Sequence, residues 1–175
     1  MMSNVLMVID MQQGVLATER YLVDEKIKVM NQLISAADQV IFIQHCEGEM
    51  QPGHPSWEIV SGLYQPENAG YVSKTACDSF YRTSLAEELE KSQIRAFTVC
   101  GCATDYCVDT TIKVGASMGY AITVAADAHT TAERNSVTAA QLISQHNEVW
   151  AELSLPDNQI QVLPAQQIIS RWQSV

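Results

Sequence analysis

Short apolar runs alternate with longer amphipathic stretches along almost the whole chain. The apolar runs predict strands near 4–9, 39–44, 70–73, 95–101, 120–125 and 159–162. The stretches with helical spacing of apolar residues predict helices near 23–37, 83–92, 105–118, 134–147 and 164–172. This alternation is typical of βαβ units, which form a parallel sheet covered by helices on both faces. The pattern therefore predicts an α/β fold with six strands.

The composition fits one domain that spans residues 1–175. Of the 175 residues, 47% are hydrophobic and 17% are charged, which is enough for one well-buried core. The net charge is -10, and the ten Lys and Arg residues are scattered along the chain. Nucleic acids and anionic membrane surfaces bind clustered basic residues. We therefore expect neither as a partner, and we expect a small-molecule substrate.

The ends of the chain and its thiols predict a cytoplasmic protein. The segment MMSNVLMVIDMQQG has no basic region and only a short apolar run. No stretch of this sequence approaches the ~20 apolar residues of a membrane span. Thiols stay reduced in the cytoplasm, so the five cysteines predict no disulfide framework. Alternation along the fourth strand places Cys100 and Cys102 together in the core.

The segment 46–69 is predicted to be a long loop, because it contains three of the five prolines and three glycines. Loops of this length inside a compact domain are usually functional. This one leaves the carboxyl end of the second predicted strand. We therefore expect it to line a crevice at that edge of the sheet.

Three chemically active residues follow predicted strands. Asp10 closes the apolar run VLMVID, Lys74 follows the third strand, and Cys107 lies in the first turn of the helix after the fourth strand. The carboxyl ends of parallel strands meet at one edge of a sheet, where open α/β sheets bind ligands. Helix starts favour a thiolate over a thiol. The sequence therefore predicts a catalytic triad of these residues with an activated thiolate.

Such a triad suits the chemistry of a cysteine hydrolase. Asp10 would accept the thiol proton and later return it to a leaving amine. Lys74 would hold the carboxylate and the sulfur together and stabilise the developing charge. The backbone N–H groups around Thr104 and Cys107 would bind the oxyanion.

Four sequence blocks resemble the isochorismatase-like cysteine hydrolase superfamily, which includes nicotinamidases and carbamoyl-amide hydrolases. They are VIDMQQG (8–14), KTACDSFYRTSL (74–85), GCATDYCVDTT (101–111) and VAADAHTT (124–131). The resemblance implies a three-layer α/β/α, Rossmann-like fold with a six-stranded parallel sheet and homo-oligomers.

The same resemblance assigns roles to individual residues. It implies that Asp10, Lys74 and Cys107 form the family's triad. It places the oxyanion hole at the backbone of Ala103, Thr104 and Cys107, and a non-proline cis peptide at Ala103–Thr104.

The chain also departs from the nicotinamidase pattern. Those relatives bind a metal through an Asp-x-His pair, whereas this chain has Ile43 before Gln44 and His45, and its next histidine is His54. His45, His54, Glu47 and Glu49 could still assemble an adventitious site, but without that carboxylate we predict no functional metal and no other cofactor. Candidate substrate contacts are Gln12, Val15, His45, Trp57, Phe80, Tyr106 and His129, the last in a loop after the fifth strand.

Hydrolysis of a small amide or carbamoyl compound through a thioester is the favoured function. Vinyl-ether hydrolysis of the isochorismate type, with Asp10 as general acid and no need for the thiol, is an alternative. A non-catalytic binding or redox module on the same fold is another.

A magnesium phosphatase is disfavoured, because Gln12 stands where a second carboxylate would be needed. A dinucleotide site is disfavoured because no G-x-G-x-x-G follows the first strand.

Overall fold

The computed structural model describes residues 3–174, in which strands alternate with helices. The strands are β1 (Val5–Ile9), β2 (Gln39–His45), β3 (Gly70–Lys74), β4 (Ala96–Cys102), β5 (Ala121–Thr130) and β6 (Gln161–Leu163). The helices are α1 (Val23–Ala36), α2 (Leu85–Lys91), α3 (Asp109–Ser117), α4 (Ala139–Glu152) and α5 (Ala165–Gln173). No helix within residues 3–174 is both long and apolar enough to cross a membrane.

All six strands run parallel in the order β3-β2-β1-β4-β5-β6, which confirms the predicted sheet. Every residue of β1 is buried, as expected for a central strand covered on both faces. Ile9 pairs with Ile43 on one side and with Gly101 on the other. From β1 the chain adds β2 and β3 on one side of the sheet, and then β4, β5 and β6 on the other. In open α/β sheets the ligand crevice lies at such a switch point, here beyond the carboxyl ends of β1 and β4.

The two faces of the sheet form two hydrophobic cores, which gives the three-layer α/β/α arrangement. Alternate residues of β1 point to opposite faces because the side-chain period of a strand is two. Val5, Met7 and Ile9 pack with residues from α2, α3 and α4. Leu6 and Val8 pack with residues from α1 and α5, and Cys100 and Cys102 lie in this second core as predicted.

Two predicted elements have different bounds in the structure. The helix predicted at 134–147 begins at Ala139 and ends at Glu152, because Thr138 and Gln141 form a capping box that starts the helix there. The strand predicted at 120–125 continues to Thr130, because β5 pairs with β4 again after a register shift and joins His129 to Gly101.

The connection after β4 also differs in two details. The cis peptide is Cys102–Ala103, one bond earlier than the predicted Ala103–Thr104, and it follows the last residue of β4. The helix predicted to begin at 105 opens with a π-helical turn, Thr104–Val108, before α3. Cys107 therefore lies inside this turn, which we call the π-turn.

Gly101 allows β1 and β4 to approach each other beside Asp10. Its φ is +122°, and a Cβ there would lie 2.2 Å from the carbonyl oxygen of Ile9. We expect Gly101→Ala to lower the free energy of unfolding by about 2–5 kcal/mol, through backbone strain and a clash that only backbone movement relieves. Urea unfolding measures this change.

Gly62 provides the matched control for that substitution. An added Cβ at Gly62 would make an ordinary contact, 3.5 Å from the side chain of Ile27. We expect Gly62→Ala to change stability by less than about 0.5 kcal/mol. Equal losses in both variants would contradict the proposed clash at Gly101.

Candidate active site

The structure brings Asp10, Lys74 and Cys107 together at the carboxyl edge of the sheet. The Nζ of Lys74 donates to Oδ2 of Asp10 at 2.7 Å and to Sγ of Cys107 at 3.2 Å. Asp10 directly follows β1, and Lys74 is the last residue of β3, so the lysine side chain reaches past the end of β2. The ammonium therefore bridges the carboxylate and the sulfur.

Lys74 has two further acceptors around its buried ammonium. Nζ lies 3.0 Å from the carbonyl oxygen of Ala76 and 3.0 Å from Nδ1 of His45. An ammonium only donates, so His45 Nδ1 accepts and the imidazole proton belongs on Nε2. This Nε2 lies 3.4 Å from the exposed carboxylate of Glu47. His45, predicted from the sequence as a substrate contact, thus also contacts the lysine, which its position in the sequence did not indicate.

Electrostatics in the triad favour a protonated thiol, which corrects the predicted thiolate. Burial and the neighbouring Asp10 raise the pKa of the Cys107 thiol, and Lys74 opposes them only partly. Burial also raises the pKa of Asp10, against the lowering effect of Lys74. Burial alone would lower the pKa of Lys74, but interactions with Asp10 and with the ionised form of Cys107 outweigh it and raise that pKa.

One carboxylate oxygen of Asp10 is buried and unpartnered in the described part of the chain. Its φ is +50°, a left-handed conformation that Asp and Asn adopt more readily than most residues. Oδ2 is bonded to Lys74, whereas Oδ1 is buried without a hydrogen-bond partner in residues 3–174. Ligand atoms of Asp10, His45 and Cys107 lie within 4.8 Å of one another. The free Oδ1 is thus available to exchange a proton with a neighbouring group.

Three side chains around the Lys74 ammonium are of types that bind metals in other proteins. Asp10, His45 and Cys107 supply a carboxylate, an imidazole and a thiol. However, the Lys74 ammonium lies 2.7–3.2 Å from these three groups and already places a positive charge among them. His54, the second predicted loop histidine, bonds locally to Ser56. These residues do not fit a resident cation while Lys74 is in place.

Backbone hydrogen bonds shape the π-turn around Cys107. The amides of Tyr106 and Val108 both donate to the carbonyl oxygen of Ala103. Those two amides are therefore committed within the turn. The predicted oxyanion donors are the other amides of this region, at Ala103, Thr104 and Cys107.

A polar cluster tethers the π-turn to the segment after β5. Arg134 donates to both carboxylate oxygens of Asp105, at 2.9 and 3.1 Å, and Thr131 donates to the same carboxylate. Partial burial raises the pKa of Asp105, but these hydrogen bonds lower it on balance. The guanidinium also lies over the half-exposed ring of Tyr106, 5.1 Å from its centroid. The sequence held no signal for this cluster beyond the opposite charges.

Two predicted substrate contacts have other partners. Gln12 is fully buried, and its Nε2 donates to the carbonyl oxygens of His45 and Trp57, while its Oε1 accepts from the His45 amide. Both amide protons are used, and Gln12 links β2 to the 46–69 loop. Phe80 packs against the core and stacks on Tyr120, with ring centroids 5.6 Å apart.

Three further residues predicted to contact substrate differ in how deeply they are buried. Val15 packs at the margin of the second core. The indole Nε1 of Trp57 is buried and lacks a hydrogen-bond partner within the described part of the chain. His129 is not in a loop, because the extension of β5 includes it and buries it completely. Burial lowers its pKa to about 4.

Two cavities lie at opposite edges of the molecule. One of about 490 Å³ opens between the turn after β1 and the 46–69 loop, next to Gln13, Gly14, Pro55 and Ser56. The other, of about 400 Å³, lies at the amino ends of the strands, far along the sheet from the triad. The first cavity adjoins the segments that carry Gln12 and Trp57, but Asp10, Lys74 and Cys107 do not line it.

A model of the isochorismatase domain matches residues 4–149. The chain belongs to the isochorismatase family. A secreted isochorismatase effector of Verticillium dahliae is 37% identical over 86 residues, which cover 49% of this chain and 45% of that protein. The streptothricin hydrolase of Streptomyces noursei is 29% identical over 80 residues, 46% of this chain and 29% of that protein. The alignments thus span less than half the length of either curated relative.

Solved structures of the isochorismatase fold superimpose over nearly the whole chain. A cysteine hydrolase from Pseudomonas syringae pv. phaseolicola matches with a TM-score of 0.88 and 20% identity, covering 98% of this chain and 93% of that one. N-carbamoylsarcosine amidase from Thermoplasma acidophilum matches with a TM-score of 0.75 and 16% identity, covering 94% and 97%. At these identities the likeness shows a shared fold.

Proposed function

We propose that this isochorismatase-family chain hydrolyses the C–N bond of a small amide or carbamoyl compound through a thioester on Cys107. The observation that carries the proposal is the arrangement around the Lys74 ammonium. It bonds one oxygen of Asp10 and the sulfur of Cys107, and leaves the second carboxylate oxygen without a partner. A nucleophile, a proton acceptor and a fixed positive charge are the components of a cysteine hydrolase.

In the first half-reaction the sulfur of Cys107 attacks the carbonyl carbon while Oδ1 of Asp10 takes the thiol proton. The C–S bond forms, and the carbonyl π electrons move to oxygen, where the amides of Ala103, Thr104 and Cys107 would bind the oxyanion. When the oxyanion collapses the C–N bond breaks, and Asp10 gives its proton to the leaving nitrogen. Ammonia or an amine leaves, and a thioester remains.

In the second half-reaction water attacks the thioester. Asp10 accepts a proton from the water as the C–O bond forms, and the C–S bond breaks when the oxyanion collapses. The proton held by Asp10 returns to the sulfur. Lys74 remains charged throughout, because its raised pKa keeps it protonated and its role is to hold both partners.

The protonated thiol is compatible with this sequence of steps. A thiol needs a base only when it attacks, and a carboxylate oxygen of Asp10 lies within 4.8 Å of the sulfur to act as that base. Positioned proton transfer of this kind contributes about 10²- to 10⁴-fold to a rate.

Vinyl-ether hydrolysis of the isochorismate type is the second candidate. The raised pKa of Asp10 favours it, since a carboxylic acid that retains its proton can protonate a vinyl ether. The thiol has no role in that reaction, and pyruvate is the product to detect. Homo-oligomer formation and a cytoplasmic location remain predictions.

The test is an ammonia-release screen over a panel of small amides and ureido compounds, with the Cys107→Ala protein as the blank. We expect ammonia from the parent protein alone, and intact-mass analysis of a rapidly quenched reaction to show an acyl group on Cys107. Pyruvate from isochorismate with both proteins would instead establish the second candidate. Equal ammonia release by both proteins would exclude the thioester.

A further inference from the structure

A directed chain of hydrogen bonds runs from α4 through β5 to the π-turn. Nδ2 of Asn147 donates to the carbonyl oxygen of Ala126 at 3.1 Å. This bond turns Oδ1 of Asn147 towards Nε2 of His129, 3.0 Å away. An amide oxygen only accepts, so His129 carries its proton on Nε2. Nδ1 of His129 therefore accepts from the hydroxyl of Thr104, at 2.8 Å.

Burial fixes the members of this chain in one arrangement. Thr104 and His129 have no exposed surface, and the His129 ring lies edge-on to Trp150 with centroids 5.1 Å apart. Burial lowers the pKa of His129 to about 4, so the ring is neutral near pH 7 and its Nδ1 can accept. A buried hydroxyl or imidazole without its partner is costly, which holds the side chains to these bonds.

Thr104 is the point where this chain meets the proposed oxyanion site. Sheet pairing holds β4 as far as Cys102, which pairs with Thr130. Beyond Cys102 the backbone turns out of the sheet and reaches Cys107 within five residues. The hydroxyl proton of Thr104 is committed to His129, so Thr104 would contribute its backbone N–H, and not its side chain, to an oxyanion.

We infer that His129 and Asn147 are positioning residues that hold the Thr104 amide in the orientation needed to stabilise the oxyanion. The inference rests on the proposed thioester chemistry. Its physical basis is that a donor must lie within hydrogen-bond distance of the place where charge develops, and a misplacement of ~1 Å can cost about 100-fold in rate. Anchors on β5 and α4 hold the Thr104 side chain at the point where the backbone has left the sheet beyond Cys102.

The experiment compares two reactions of Cys107 that differ in one respect. Acylation by p-nitrophenyl acetate passes through an oxyanion, whereas alkylation by iodoacetamide does not. In His129→Leu and in the nearly isosteric Thr104→Val, we expect acylation to slow about 10- to 100-fold and alkylation to change less than about threefold. Because the two residues act through one hydrogen bond, the double variant should be no slower than the more affected single variant.

Two further variants control for effects on folding. His129→Asn keeps an acceptor near the position of Nδ1, so we expect it to recover most of the lost acylation rate. His146→Leu removes a different histidine, which lies on α4 and also contacts Trp150, with ring centroids 5.5 Å apart, but which bonds the carbonyl oxygen of Leu142 rather than Thr104. We expect this variant to acylate at the parent rate.

The outcomes separate this inference from the proposed function. Unchanged acylation in His129→Leu and Thr104→Val, or parallel loss of acylation and alkylation, would overturn the positioning role. A parent protein that cannot be acylated on Cys107 at all would remove the proposed function, and the inference with it. Acylation that depends on His129 in a protein that releases no ammonia would retain the positioning role and reject the amide substrate.

Discussion

Asp10→Asn should lose turnover while its Cys107 becomes more reactive towards an alkylating agent. For amide hydrolysis we expect kcat/KM to fall by about 10³- to 10⁴-fold, because the base that takes the thiol proton and returns it to the leaving nitrogen is gone. Asparagine fits the φ of +50° and can still accept from Lys74 at the present 2.7 Å. The substitution therefore removes the charge with little change in shape.

The opposite effect on alkylation follows from the charges around the sulfur. The Asp10 carboxylate raises the pKa of the Cys107 thiol, whereas Lys74, 3.2 Å from the sulfur, lowers it. Without the carboxylate the lowering effect of Lys74 has less opposition, so the thiolate fraction near neutral pH increases. Iodoacetamide labelling followed by intact mass measures this change. Slower labelling together with lost turnover would mean that Asp10 supports the geometry of the site rather than proton transfer.

Two companion variants complete the comparison. Asp38→Asn removes a surface carboxylate whose one hydrogen bond within residues 3–174 is accepted from the amide of Asn4, and we expect parent turnover. Cys107→Ala should abolish amide hydrolysis. If isochorismate is the substrate instead, Cys107→Ala retains activity and Asp10→Asn alone loses it, which identifies a general acid at Asp10.

The hydrophobic pattern of the sequence was sufficient to predict the sheet and the meeting of Asp10, Lys74 and Cys107. Parallel strands all end at one edge, so a residue after any strand is close to that edge whatever the strand order. The order itself could not be predicted, and it accounts for the missed role of His45. Because β2 lies between β1 and β3, the Lys74 side chain passes the end of β2 and contacts His45.

The extension of β5 to Thr130 could not be predicted from the sequence, for a different reason. Small and polar residues between Val124 and Thr131 break the alternation that marks a strand. The strand continues because β4 contains Gly101, whose backbone conformation accompanies the register shift that lets His129 pair. This long-range pairing buries His129, and no local pattern could have indicated its contact with Thr104. The protonated thiol was likewise missed, since burial and the distance to Asp10 belong to the folded site.

Lys74→Met should destabilise the fold as well as abolish turnover. The Lys74 side chain is fully buried and is 2.7 Å from the almost equally buried Asp10 carboxylate. Removing one partner of a buried ion pair leaves an uncompensated charge, for which we expect a loss of about 3–5 kcal/mol in the free energy of unfolding. The pKa of Asp10 would rise further without the ammonium, so the base would become protonated and turnover would fall by about 10³-fold.

The double variant Asp10→Asn/Lys74→Met distinguishes the effect of an unpaired Asp10 charge from the effect of lost packing around the Lys74 side chain. It contains neither charge, so we expect it to recover most of the stability lost in Lys74→Met and none of the activity. Lys113→Met is the matched surface control, because Lys113 pairs with Asp109 one helical turn away and its side chain is 41% exposed. We expect this variant to lose less than about 0.5 kcal/mol.

The stability loss in Lys74→Met should also depend on pH with a defined sign. In the unfolded chain Asp10 ionises near its ordinary pKa, whereas in the folded variant its pKa is raised. The unfolded state therefore gives up its proton first as the pH rises, and the folded state becomes progressively less stable relative to it. Urea unfolding should thus show a larger deficit against the parent protein at about pH 8 than at about pH 5. A deficit independent of pH would assign the loss to packing around the Lys74 side chain and not to the buried carboxylate.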